Sequence, residues 1–114
     1  MSDCEEKEVV WELPGVAKEL RSLPQDKALA FLHNSSLLGL NKKPELEIVS
    51  LADVVEKGAF ELKINGRPAF RLIYFTKLPG KVVIVKVFKK TTNGPANKEY
   101  AAAKKRLKAY LAKM

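Results

Sequence analysis

Three runs of β-branched and aromatic residues, separated by two turn signals, constrain this chain more than any other feature. The order is F-E-L-K-I from Phe60, then Asn65-Gly66-Arg67-Pro68, then A-F-R-L-I-Y-F-T, then Lys77-Leu78-Pro79-Gly80, then K-V-V-I-V-K-V-F. Such residues fit a pleated, half-buried surface, and Gly with Pro at both connections favours tight reversals. The spacing predicts a three-stranded antiparallel meander. Asn93-Gly94-Pro95 closes it, and Asn97 to Met114 then reads as an amphipathic helix with Tyr100, Ala103, Leu107, Tyr110 or Leu111, and Met114 along one stripe.

Ahead of the meander, Glu8 to Leu13 alternates as a short strand, and Pro14 suits the first turn of a helix, where its missing N–H would be unpaired anyway. Val16, Ala17, Leu20 and Leu23 recur at helical spacing. Ser22-Leu23-Pro24-Gln25 has the form of a capping box opening a second helix that runs to about Leu40. So short a turn predicts an antiparallel helical hairpin. Asn41 to Pro44 breaks the pattern, and Glu45 to Lys57 reads either as a strand or as a loose connection. The expected fold class is α+β: an N-terminal strand, a helical hairpin, the meander and a C-terminal helix. With 114 residues, the expectation is one domain spanning 1–114.

Charge is segregated along the chain. Residues 59–114 carry fourteen Lys or Arg against two acids, Glu61 and Glu99, for a net +12, whereas residues 1–58 hold seven basic and eleven acidic residues, net −4. A basic half attracts phosphate by counterion release and long-range steering, which points to a polyanionic partner. The single Cys4 permits no intramolecular disulfide, and the acidic start (Ser2, Asp3, Glu5, Glu6) lacks the basic and apolar regions of a secretory signal. No apolar run approaches the roughly 18 residues of a membrane helix. A cytoplasmic protein without membrane association is expected. With one His33 and one Cys4 there is no zinc cluster and no pair of catalytic histidines, and neither phosphate-cradling glycine motif occurs.

Strand parity adds a sharper expectation. If the first hairpin turns about Arg67, Lys63 faces Arg71; if the second closes with Thr76 opposite Lys81, Arg71 faces Lys86, and Lys90 shares their face. Like charges directly opposite one another destabilise a sheet by about 0.2–1 kcal/mol per pair. A bound phosphate would give such a row a purpose; the plainer explanation is a solvent-facing surface whose long basic side chains discourage edge pairing.

The stretch F-E-L-K-I-N-G-R-P-A-F-R-L-I-Y-F, then G-K-V-V-I-V-K-V-F-K-K-T, then K-E-Y-A-A-A-K-K-R-L-K-A-Y resembles the RelE/HigB superfamily of bacterial toxins, especially its phage-derived branch, over about residues 58 to 110. The resemblance implies a RelE-like α+β fold with an antiparallel sheet. It also implies the toxin component of a toxin–antitoxin system: a growth-inhibiting messenger-RNA interferase acting in the ribosomal A site and masked by a cognate antitoxin. By resemblance, Arg71 is the characteristic arginine, Lys63 the basic position of the preceding strand, Lys89 or Lys90 the basic end of the last strand, and Tyr100 a functional tyrosine. Lys86 stands where the branch often has histidine.

Cutting RNA without a metal or cofactor means driving the 2′-OH onto its own phosphate, and cations on a fixed sheet neutralise the charge that builds there. Arg71 suits that clamp; Lys63, Lys86 or Tyr100 are the candidates for moving protons. Arg67, Lys81, Lys98, Lys104 and Lys105 are expected to bind the RNA backbone. The competing reading is a non-catalytic RNA- or ribosome-binding domain using the same basic face.

Overall fold

The computed structural model describes residues 6–91 and 93–114; Cys4 and the rest of the start through Glu5 lie outside the described residues. Along the chain run β1 (Glu8–Val10), α1 (Val16–Arg21), α2 (Gln25–Gly39), β2 (Glu47–Ser50), β3 (Ala59–Ile64), β4 (Ala69–Phe75), β5 (Lys81–Lys90) and α3 (Asn97–Ala112). The expected α+β class and meander are present: β3, β4 and β5 pair antiparallel in succession. The sheet itself is larger than expected, five-stranded and mixed, in the order β1-β5-β4-β3-β2. β1 runs parallel to β5, and β2 pairs antiparallel with β3.

The extra strand comes from the segment whose sequence was ambiguous. Asn34 on α2 is buried; its Oδ1 accepts the backbone N–H groups of Glu45 (2.7 Å) and Leu46 (3.0 Å), while its Nδ2 donates to Ala30 O (2.8 Å). That side chain fixes the approach to β2. No local pattern announces it, because the partner lies eleven residues upstream.

Other details depart from the sequence reading. β1 ends at Val10 rather than Leu13. Pro24 occupies the N-cap position of α2 without a side-chain cap, and Ser22 Oγ instead donates back to Glu19 O at 2.7 Å, so the capping box does not form. Met114 lies beyond the end of α3 and is largely exposed, while Ala103 and Leu107 are the buried residues of that helix.

Alternate residues of the meander face opposite sides of the sheet. Leu62, Leu72 and Val87 share one face and are buried; Glu61, Ile73 and Lys86 share the other, over which α3 lies. The first hairpin register is as expected, with Lys63 opposite Arg71. The second is not: Arg71 faces Phe88, and Lys86 faces Ile73. The hairpin pairs Phe75 with Val83, one residue later than assumed, and a register shift at Ile73/Tyr74 leaves Val85 as the extra residue of a bulge. Together they displace Lys86 by two positions, which keeps it on the same face but moves it away from Arg71.

The bulge is where the helices are fastened. Glu19 Oε1 accepts the backbone N–H of Val87 (3.1 Å), and Arg106 donates to Val85 O (2.9 Å). Arg106 also grips Glu19 with two parallel bonds of 2.9 Å each, and Lys86 Nζ lies 3.2 Å from Glu19 and 3.3 Å from Glu99. Gly15, at φ 90°, opens α1 against this group; a Cβ there would stand 3.1 Å from the Arg106 guanidinium. One carboxylate thus joins α1, β5 and α3.

Burial works to raise the Glu19 pKa, but the bonds from Arg106, Val87 N–H and Lys86 together outweigh it and hold the carboxyl below its ordinary 4.5. Its stabilisation is therefore complete above about pH 4.5 and fades as pH falls through the lower folded-state value. Glu19→Ala should cost about 2 kcal/mol in urea unfolding at pH 7, because it takes the bidentate partner from Arg106, one of the two acids from Lys86 and the side-chain acceptor from the Val87 N–H. A wild-type midpoint in that variant would remove the network from the account.

Candidate functional site

Arg71 sits on the middle strand of the meander and is only 5% exposed. A permanent cation this buried needs compensation, and the neighbouring backbone supplies part of it. Its Nη1 donates to Ile64 O (3.2 Å) and Phe70 O (3.0 Å). Its Nε lies 3.9 Å from Glu61 Oε1, too far for a hydrogen bond but close enough for a strong attraction where water is excluded.

Glu61 is 2% exposed, on β3 opposite Ile73 and two positions from Lys63, so strand alternation puts its carboxylate on the face that carries Lys63 and Arg71. Tyr100, half-buried in the first turn of α3, brings its hydroxyl to 3.2 and 3.1 Å from the two carboxylate oxygens. Burial pushes the Glu61 pKa up; the Tyr100 hydrogen bond and the charges of Arg71, Lys63 and Lys90 pull it down, and burial prevails. The Tyr100 phenol is pushed up to about 12, first by burial and then by the Glu61 charge and hydrogen bond. The result is a carboxyl of raised proton affinity joined to a phenol and ringed by cations.

Beside this group an open cavity of about 430 Å3 is lined by the hairpin Asn65 to Ala69, by Arg71, and by Lys90, Thr91 and Asn93. Arg71 therefore touches both the cavity and Glu61. Of the residues expected to act together, the structure gathers Lys63, Arg71, Lys90 and Tyr100 around Glu61. Strand parity separates the two end lysines: Lys90 pairs with Ala69 on the face of Arg71, whereas Lys89 pairs with Phe70 on the other. Lys86 is not part of the group. Its ammonium is held by Glu19 and Glu99, an acid from each half of the chain, and it serves the helix anchor.

The expected RNA-binding residues disperse. Arg67 is exposed on the rim of the cavity, and Lys98 lines an adjoining one at the start of α3. Lys104 and Lys105 are exposed further along α3. Lys81 begins β5, about 30 Å of strand from Lys90, and pairs with Glu8. Glu61 is the residue that sequence reasoning missed. Its signal was present: it is one of two acids in residues 59–114, and it stands inside a strand among cations.

Residues 18–108, well over half of the chain, match the family model described as "Phage derived protein Gp49-like (DUF891)". No curated protein matches the chain. Among the described residues, no helix is long and apolar enough to cross a membrane.

Because the folded state holds Glu61 above its ordinary pKa of 4.5, it retains a proton that the unfolded chain has released, so this group's contribution to stability declines as pH rises from 4.5 through the raised value. Glu19 acts in the opposite sense, and below 4.5. In a pH series of melting temperatures, Glu61→Gln should abolish the decline above 4.5 and leave the acid side unchanged. An unaltered profile above 4.5 would show that Glu61 titrates like an exposed carboxyl.

Proposed function

The chain belongs to the phage-derived Gp49-like family, and from that premise we propose that it is the toxin of a toxin–antitoxin pair, a metal-independent endoribonuclease that cuts messenger RNA on the ribosome. The observation that carries this reading is the meeting of Arg71, Lys90 and the Glu61–Tyr100 pair beside one open cationic cavity. The RelE/HigB-like motif residues Lys63, Arg71 and Tyr100 fall within that group, which supports the finer assignment.

In this mechanism a phosphodiester enters the cavity against Arg71, Lys90 and Arg67. Arg71 is already oriented by two backbone carbonyls, so little reorganisation is needed as negative charge builds on the phosphorane. The sealed Glu61 receives a proton through Tyr100, whose hydroxyl takes one from the 2′-OH as it releases its own. The 2′-oxygen bonds to phosphorus, the 5′-oxygen leaves with a proton from a neighbouring lysine, and the products are a 2′,3′-cyclic phosphate and a 5′-hydroxyl. The tyrosine–carboxyl relay is modest acid–base machinery, which accords with a reaction in which the ribosome presents the RNA in line. The partner antitoxin contributes an acidic segment that covers Lys63, Arg71 and Lys90.

Expression of the chain should arrest growth and leave cut transcripts, and Arg71→Ala should reduce cleavage by at least about 100-fold. Lys86→Met should lower stability while the folded protein still cuts. Arrest that survives Arg71→Ala undiminished, or cleavage that needs Lys86 instead, contradicts the site. The acid limb of the cleavage rate should lie above pH 4.5, since Glu61 must be ionised to accept a proton, and Glu61→Gln should flatten it. Salt-dependent RNA binding with no cut ends would instead identify a pure binding domain.

A further inference from the structure

A second cavity, of about 290 Å3, adjoins the first and shares Lys90 and Thr91 with it. Its lining is different in kind. Phe88, Pro95 and Ala96 supply apolar wall, Asn97 stands at the first position of α3, and Lys98 lies next to it. Phe88 is the cross-strand partner of Arg71 and projects to the same face, so this wall stands one strand spacing, about 5 Å, from the arginine.

We infer that this second cavity receives the unstacked base of the nucleotide whose phosphate lies against Arg71 and Lys90, with Asn97 reading the edge of that base. The inference rests on the nuclease reading above and adds its base-recognition subsite. Unpaired RNA bases are held by apolar or aromatic surface together with hydrogen bonds to their edges, and an amide side chain offers both a donor and an acceptor. The volume falls just under the usual range for ligand pockets, which suits one ring system rather than a whole nucleotide. Lys90 lies between the two cavities and Lys98 at the far rim, where the phosphates flanking a splayed base would run. The acid at this end, Glu99, is engaged by Lys86 at 3.3 Å.

The test is a 1H–15N NMR titration of the full chain with inorganic phosphate and, separately, with the 5′-monophosphates of adenosine, guanosine, cytidine and uridine. Phosphate should shift amides near Arg71 and Lys90 only. At least one nucleotide should also shift Phe88, Ala96 and Asn97 and bind about tenfold more tightly, the scale of one base–aromatic contact. Ala96→Leu, which fills the cavity, and Asn97→Ala, a substitution at an exposed position, should each return nucleotide affinity to that of phosphate. Nucleotides that shift only the phosphate-cavity amides, or a folded Asn97→Ala that binds them as wild type does, would overturn the subsite. Nucleotide binding of this pattern in a protein that cuts no transcript keeps the subsite and removes the nuclease; cutting without it does the reverse.

Discussion

Arg71 cannot lose its charge, and the centre of a sheet is an expensive place for a cation. Two carbonyls and the buried carboxylate of Glu61 make that position tolerable. The arrangement is loose where it matters: the Arg71–Glu61 separation of 3.9 Å leaves the guanidinium attracted but not bidentately locked. It therefore remains directed at the cavity it lines. Glu61 is exchangeable in charge where Arg71 is not, since its proton affinity is already raised by burial. The pair that makes a buried arginine tolerable is thus also the pair with chemical reach.

The helices make this pair usable. Tyr100 reaches Glu61 because α3 crosses the face that carries it, and α3 is held there by Arg106 clasping Glu19 and the Val85 carbonyl of the β5 bulge. The acidic N-terminal half contributes Glu19 to that anchor, so part of the segregated charge is neutralised internally. The cavities at the far end of the meander are lined by Arg67 on the hairpin, Lys90 at the end of β5 and Lys98 at the start of α3. A polyanion would meet the molecule there.

The meander, the closing helix and the Lys63–Arg71 pairing were legible because their determinants are local: β-branched runs, Gly and Pro at the turns, and a hairpin whose centre can be counted. The second hairpin escaped the same counting because its turn closes one residue later than the pattern suggests and because a bulge at Val85, held by Glu19 and Arg106, adds a further residue that no strand pattern contains. Lys86 was misplaced for that reason, and its nearness to two acids is a property of the fold. β2 was ambiguous because Asn34 sets its approach from a distant helix. Glu61 is masked in the sequence by the excess of cations around it, although a rare acid inside a basic strand is itself a sign of a buried charge partner.

The most direct test of the central claim is the chemistry of the cut ends. Transcripts cleaved in a purified translation mixture should carry 2′,3′-cyclic phosphate or its hydrolysed monophosphate on one fragment and 5′-hydroxyl on the other, and a single 2′-deoxynucleotide before the cut should block cleavage there. Fragments ending in 3′-hydroxyl and 5′-phosphate, or cleavage indifferent to the 2′-deoxy substitution, would contradict attack by the 2′-oxygen and with it the role given to Arg71, Glu61 and Tyr100.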